Sequence, residues 1–361
     1  MNNNVKHKII FTGGGTGGSV TPLLAIYDEF LKDTEKLKDM DFVWIGTEKG
    51  IENKMVSDER IRYISIASGK LRRYFSWQNF VDIFIIIFAF FQALIILQKE
   101  KPNLVMSAGG FVCVPVIWAA WAMRIPTMIH QQDIRPGLAN KLMSPFASII
   151  TVTFESSLTD YGKKAVWTGN PIRNKILNSI NKDEARKYFN IKSDKPVIFV
   201  VGGGTGAIAL NELVISSLDK ILPICEIVHI YGKGKGNEIK NDNYHAYELL
   251  DTTGMSNAYT VSDLVVSRCG LGILTELSNL NKASILIPMP DSHQEDNAKI
   301  FAENKAAIVL NQKELTPEKL SQEILSLLVN TDLRKELSLN IGKVIKKGAS
   351  KEIVNIIKEI I

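Results

Sequence analysis

Residues 8–22 read KIIFTGGGTGGSVTP, and residues 196–207 read PVIFVVGGGTGA. In both, a short apolar run stops at a glycine cluster and helical sequence follows, which is how a strand turns directly into a helix. Outward from the first turn come the runs DFVWIGT, RYISIAS, NLVMSAGG, IPTMIHQ and SIITVTF, separated by helical stretches. Outward from the second come CEIVHIYGKG, LVVSRCG, ASILIPM and AAIVL. Apolar strands alternating with helices imply parallel sheets joined by βαβ crossovers. Each glycine turn therefore opens a separate unit. The expected fold is α/β, with two Rossmann-like doubly wound domains facing across a cleft.

A length of 361 residues suits two cores better than one. The expected domains are 1–165 and 166–340, with a helical segment 341–361 that can pack back on the first. The Gly-Asn-Pro turn in VWTGNPIRNKI (166–176) marks the boundary. Cys113, Cys225 and Cys269 are far apart and lack metal-ligand spacing, which argues against a zinc site or a disulfide framework. The amino-terminal apolar run is too short for a signal peptide. A net charge of +5, from 43 basic and 38 acidic residues, is too mild to imply a nucleic-acid partner.

A helix N-terminus offers unpaired N–H groups and a partial positive charge, which suits phosphate. Both turns also satisfy GxGxxG/A, through Gly13, Gly15 and Gly18 and through Gly202, Gly204 and Ala207. A dinucleotide-dependent oxidoreductase would further need an acidic residue about 20 positions beyond the turn. Glu48 comes late for that role, and the second unit offers no clear equivalent. The dehydrogenase reading therefore ranks last.

The blocks GGGTGGSVTPLLAI, WIGTEKGIENKMV, SAGGFVCVPVIWAAW, IPTMIHQQDIRPGLANKLM, TGNPIR, VVGGGTGAIALNELV, SRCGLGILTEL and HQEDNAKIFAE run in order over about residues 8–310. Together they resemble the MurG family of peptidoglycan glycosyltransferases. The resemblance implies transfer of N-acetylglucosamine from UDP-GlcNAc to the muramic acid 4-hydroxyl of undecaprenyl-linked lipid I, giving lipid II. It also implies a donor site mainly in the second domain and an acceptor site in the first, on the cytoplasmic face of the cell membrane. A different nucleotide sugar or lipid acceptor, or a catalytically silent UDP-sugar-binding homologue, is the alternative.

Carried over position by position, the resemblance makes Glu276 the ribose-binding carboxylate, and Gln294 and Asn297 the readers of the sugar hydroxyls. Arg173 becomes a phosphate contact, with Gly206 and Leu249 on the donor side. In the second glycine loop Gly204 and Thr205 stand where the family has Ser and Gln, and Thr205 can supply a substitute hydroxyl. On the acceptor side, Gly15, Thr16, Gly17, Gly18, His130, Gln132 and Asn140 match the family. Ser19 replaces its loop histidine, Phe111 its tyrosine, and Asp133 the last amide of its HEQN block. An inverting transfer needs a base near the attacking hydroxyl. Serine cannot fill that role at neutral pH, whereas His130 and Asp133 can. Ser19 is then expected to position or bond a phosphate or the acceptor. No metal is expected to be required, since the lone DxD, Asp39-Met40-Asp41, precedes a strand and falls opposite the glycine turns.

The segment FVDIFIIIFAFFQALIIL (80–97) is interrupted only by Asp82 and Gln92. Its length approaches that of a spanning helix. A crossing would split the first sheet, so a crossover helix with a second apolar face is expected. Between Arg60 and Val81 there are five basic residues (Arg60, Arg62, Lys70, Arg72, Arg73) and no acidic one. Peripheral contact with an anionic membrane surface through residues 70–97 is expected ahead of an oligomer interface.

Overall fold

The computed structural model describes residues 7–32, 39–69, 78–178, 180–203, 206–236 and 239–361. The chain forms two compact units, 1–173 together with 346–361, and 174–345. The expected positions Lys70, Arg72, Arg73, Gly204 and Thr205 lie outside the described residues.

The first unit holds a parallel sheet ordered β3-β2-β1-β4-β5-β6-β7. Its strands are β1 (His7–Thr12), β2 (Met40–Gly46), β3 (Arg62–Ser65), β4 (Leu104–Ser107), β5 (Thr127–Gln131), β6 (Ile149–Val152) and β7 (Ala165–Trp167). Successive side chains of a strand face opposite ways. Accordingly Ile9 and Phe11 enter a core with the helices Thr21–Leu31 and Ala349–Ile360, while Ile10 faces Gln78–Glu100 and Cys113–Ala122. Sequence places the boundary at 165/166. The structure moves it to 173/174, because β7 completes the first sheet by pairing with β6. Asp41, at the start of β2, reaches Lys8 at 3.3 Å, and Lys8 in turn bonds Glu100 at 2.8 Å. This carboxylate sits at the strand beginnings, opposite the glycine turn.

The helix Gln78–Glu100 connects β3 at one edge to β4 in the middle of the same sheet. It is long and apolar enough to cross a membrane, but its two flanking strands share one sheet. Ile86, Ala89, Ala93 and Leu97 are buried, and small Ala89 and Ala93 let the helix close on Cys113–Ala122. The other side presents Phe84, Phe88, Phe91 and Ile95 to solvent.

The second unit holds a parallel sheet ordered β10-β9-β8-β11-β12-β13. Its strands are β8 (Val197–Val201), β9 (Glu226–Ile230), β10 (Tyr244–Tyr247), β11 (Leu264–Ser267), β12 (Ser284–Leu286) and β13 (Ile308–Val309). In both sheets strand order reverses beside the first strand of the unit, between β1 and β4 and between β8 and β11. Ligands of such sheets collect beyond the strand ends at that reversal.

Candidate functional site

In the first unit, β1 runs into Gly13–Thr16 and a single 3-10 turn, Gly17–Ser19, before the helix Thr21–Leu31. A buried carboxylate shapes this loop. Glu52 accepts from the backbone N–H of Gly15 at 3.1 Å and of Thr47 at 2.9 Å, and also from the Thr47 hydroxyl. A Cβ at Gly14 would lie 2.4 Å from Oε1 of Glu52, so the second glycine is what admits the carboxylate. The Trp44 indole donates to the Gly13 carbonyl at 3.1 Å. Held this way, the loop leaves Gly15, Thr16 and Gly18 exposed and Gly17 half-buried. Nothing in the sequence pattern marks Glu52 for this role.

Ser19 turns toward its own loop. It is buried, and its hydroxyl lies 3.0 Å from the Gly14 carbonyl and 3.1 Å from that of Thr16. Its one proton is spent bracing its own loop. The bonds it makes are an internal tie of the loop, and through that tie it can position the exposed Gly15 and Thr16.

His130, on β5, is fully buried. Its Nε2 lies 2.7 Å from Oδ1 of Asn170, and its Nδ1 lies 2.9 Å from Oγ1 of Thr151. An amide oxygen can only accept, so Nε2 carries the proton and Nδ1 accepts from Thr151. Burial pushes the imidazole down to about 4, against the smaller opposing effect of Asn170. Both ring nitrogens are thus engaged within the first unit, the arrangement of a structural histidine; the role of catalytic base that the resemblance leaves open to His130 would require those bonds to be exchanged. Asn170, the partner within TGNPIR, was not singled out from sequence.

Asp133 sits half-buried in the turn between β5 and the helix Leu138–Met143, and its backbone carbonyl accepts from Gln131 Nε2 at 2.5 Å. Asn140 is buried and donates to Gln131 Oε1 at 2.6 Å, an oxygen that Tyr161 also reaches at 3.0 Å. Its own Oδ1 is buried without a hydrogen-bond partner among the described residues. That oxygen is what Asn140 can offer a donor. Gln132 donates to the Ala108 carbonyl at 2.9 Å, beside β4, and Phe111 follows the Gly109–Gly110 turn.

Arg173 belongs to the first unit, and two carboxylates hold it there. Nε donates to Asp28 at 3.1 Å and Nη2 to Glu59 at 2.5 Å, all three side chains being largely buried. Their hydrogen bonds and charges hold its pKa above the ordinary arginine value despite burial. In this structure the guanidinium is engaged by these two carboxylates, while the resemblance assigns it to a phosphate.

In the second unit the glycine turn after β8 is closed by Gly206, whose N–H bonds the Gly203 carbonyl at 2.9 Å. Gly206 has φ +70°, and a Cβ there would lie 2.3 Å from the Tyr231 carbonyl, so only glycine fits. Lys235, beyond the end of β9, places its ammonium 3.2 Å from the Gly206 carbonyl. Sequence reading passed over this cation, although GKGKG (232–236) stands at a strand end. Leu249 is exposed, just beyond β10.

Beyond β11, Arg268 is buried with its guanidinium on the carbonyls of Ile287 (3.1 Å) and Pro288 (3.2 Å). Gln294 opens the helix His293–Glu303, and its Oε1 accepts from the backbone N–H of Cys269 (3.2 Å) and of Met289 (3.1 Å). With the oxygen engaged, Gln294 can address a ligand through its Nε2 donors. Asn297 is fully buried and donates to the Cys269 carbonyl at 3.2 Å. Its amide N–H thereby supports the turn after β11. Glu276, half-buried on the helix Leu271–Leu280, accepts from the Tyr259 hydroxyl at 2.5 Å. Burial raises its carboxyl to about 7, and the Tyr259 bond opposes the rise.

In each unit a glycine turn thus stands at the reversal of strand order, with further candidates such as Asp133, Asn140, Lys235 and Gln294 in the segments that follow neighbouring strands. The arrangement has the makings of a phosphate-and-sugar site in the second unit and a hydroxyl-acceptor site in the first. Residues 9–152 match the glycosyltransferase family 28 N-terminal domain, and residues 197–353 match the C-terminal domain of the same family. The UDP-N-acetylglucosamine–N-acetylmuramyl-(pentapeptide) pyrophosphoryl-undecaprenol N-acetylglucosamine transferase of Clostridium kluyveri is 39% identical, over 98% of this chain and 99% of its own. The protein of the same description in Clostridium perfringens is 40% identical, over 98% of both chains. The crystal structure of Acinetobacter baumannii MurG superposes with a TM-score of 0.73 at 26% identity, covering 98% of this chain and 99% of that one.

Proposed function

The chain belongs to glycosyltransferase family 28, and on that premise we propose that it transfers N-acetylglucosamine from UDP-GlcNAc to the N-acetylmuramyl group of a pyrophosphoryl-undecaprenol carrier, turning lipid I into lipid II. What supports the donor assignment is that Glu276 lies on the helix that follows β11 and Gln294 opens the helix that follows β12, two neighbouring strands of the second sheet. One is a carboxylate able to accept from two ribose hydroxyls; the other is an amide whose oxygen is engaged and whose N–H donors can meet a sugar.

The acceptor oxygen attacks C1 of the sugar while its proton passes to Asp133, and UDP departs with the electron pair of the C1–O bond. One displacement inverts the anomeric centre. Asp133 takes the proton because His130 is enclosed and Ser19 is committed to its loop. The departing diphosphate is met by the N-termini of the helices Ile208–Ile215 and Leu271–Leu280 and by Lys235. No resident metal takes part, so EDTA leaves the rate unchanged. The exposed stripe Phe84, Phe88, Phe91 and Ile95 rests on the cytoplasmic face of the membrane that holds the acceptor.

Single-turnover transfer of labelled N-acetylglucosamine to a short-chain lipid I analogue tests this reading. Asp133→Asn is expected to slow transfer by about 10²–10⁴-fold with donor affinity intact. Wild-type rates in Asp133→Asn would remove Asp133 as the base; absence of transfer by the wild type would remove the function.

A further inference from the structure

Tyr259 lies on the helix Thr252–Val261 and is 1% exposed. Its ring packs edge-on against Phe199 of β8, with centroids 5.2 Å apart and planes at 89°. Its hydroxyl points at Glu276 and stands 2.5 Å from Oε2. A buried phenol is costly unless its O–H is bonded, and this one is bonded to the carboxylate assigned above to the donor ribose. We infer that Tyr259 is a positioning residue for donor binding: its hydroxyl holds the Glu276 carboxylate ionised and in one orientation, so that the second oxygen is presented to a vicinal diol. The inference rests on the donor reading proposed above.

The chemistry has a direction. A carboxylate bridging two ribose hydroxyls must be ionised to accept from both. Burial disfavours that form, and the Tyr259 hydroxyl favours it by donating to it. Tyr259 on its neighbouring helix is the titratable group that acts on Glu276 among the described residues; the remaining cause of its shift is burial. Tyr259 itself is held well above the ordinary tyrosine value, first by burial and then by Glu276, so it remains a donor throughout the working range.

The test is calorimetric titration of the full chain with UDP-GlcNAc, and with its 2′,3′-dideoxyribose analogue, between pH 6 and 9. Wild type, Tyr259→Phe and Glu276→Gln are compared. Phenylalanine keeps the ring against Phe199, so the fold is preserved. Tyr259→Phe is expected to move the acid limb of UDP-GlcNAc binding up by roughly one pH unit. Affinity at pH 7 then falls several-fold and returns near pH 9, the donor KM rises with kcat unchanged, and the dideoxy analogue is indifferent to the substitution. Superimposable pH profiles of UDP-GlcNAc affinity in wild type and Tyr259→Phe, or an equal loss for the dideoxy analogue, would overturn the inference alone. Unchanged UDP-GlcNAc affinity in Glu276→Gln at every pH would overturn the ribose assignment and the inference together.

Discussion

Nε2 of His130 meets Oδ1 of Asn170 at 2.7 Å, and that bond ties the end of β5 to the segment leaving β7. The second unit repeats the arrangement with His229, a buried ring bonded to Tyr244 at 2.8 Å and to Asn211 at 3.2 Å. Burial lowers both imidazoles from 6.5 to about 4.

Acid stability follows from these two rings. Between pH 6.5 and about 4 the unfolded chain binds protons that the folded chain refuses. Their contribution is therefore complete above pH 6.5 and is lost as pH falls toward 4, at up to about 3 kcal/mol for each histidine. Urea midpoints taken from pH 7 down to pH 4 should fall steeply. His130→Gln should flatten that fall even though it lowers stability at pH 7.

Ser19→Ala removes an internal brace and nothing that touches substrate. A stability loss of about 1 kcal/mol is expected, with transfer reduced less than about tenfold. A drop of a thousandfold or more would instead match the loss of a proton-transfer group. Thermal melts and steady-state rates on the same preparation separate the two.

Gln294→Glu keeps an oxygen for the N–H groups of Cys269 and Met289 but removes the amide donors. The melting temperature should hold. Affinity for UDP-GlcNAc should fall about tenfold or more while that for UDP changes little, since a lost bond to a buried polar partner costs about 1–3 kcal/mol. Equal losses for both ligands would mean that Gln294 addresses the nucleotide or shapes the turn.

Phe84→Glu with Phe88→Glu places two charges on the exposed side of the helix Gln78–Glu100, away from buried Ala89 and Ala93. Sedimentation with vesicles containing anionic lipid should drop sharply, while transfer to a water-soluble acceptor stays within about twofold of wild type. Retained vesicle binding would move the membrane contact elsewhere on the chain.

The two glycine turns and the apolar runs around them reveal two sheets and all their strands but two, because buried parallel strands are continuously apolar and the turns must sit at their ends. The strands that escaped, β7 and β10, are short, lie at sheet edges and are half-buried along most of their length. They carry neither a continuous run nor a clear alternation. Residue type could propose His130, Asn297 and Arg173 for chemistry, since each can do it. What sequence cannot convey is enclosure: His130 and Asn297 turned inward, and Arg173 met Asp28 across 145 positions. Glu52 escaped for a related reason, since its partner Gly15 stands 37 residues earlier and nothing local marks the pair.

The closing helix Ala349–Ile360 seats Ile353, Val354 and Ile357 in the core that Ile9 and Phe11 began. Each such side chain contributes about 1.5–3 kcal/mol, and all three are added only after the second unit has been made. At roughly 5–20 residues per second of synthesis, the nascent first unit waits on the order of ten seconds or more with that seam open. The first unit therefore completes its core only after the second has been synthesised, although all seven of its strands come before it in the chain.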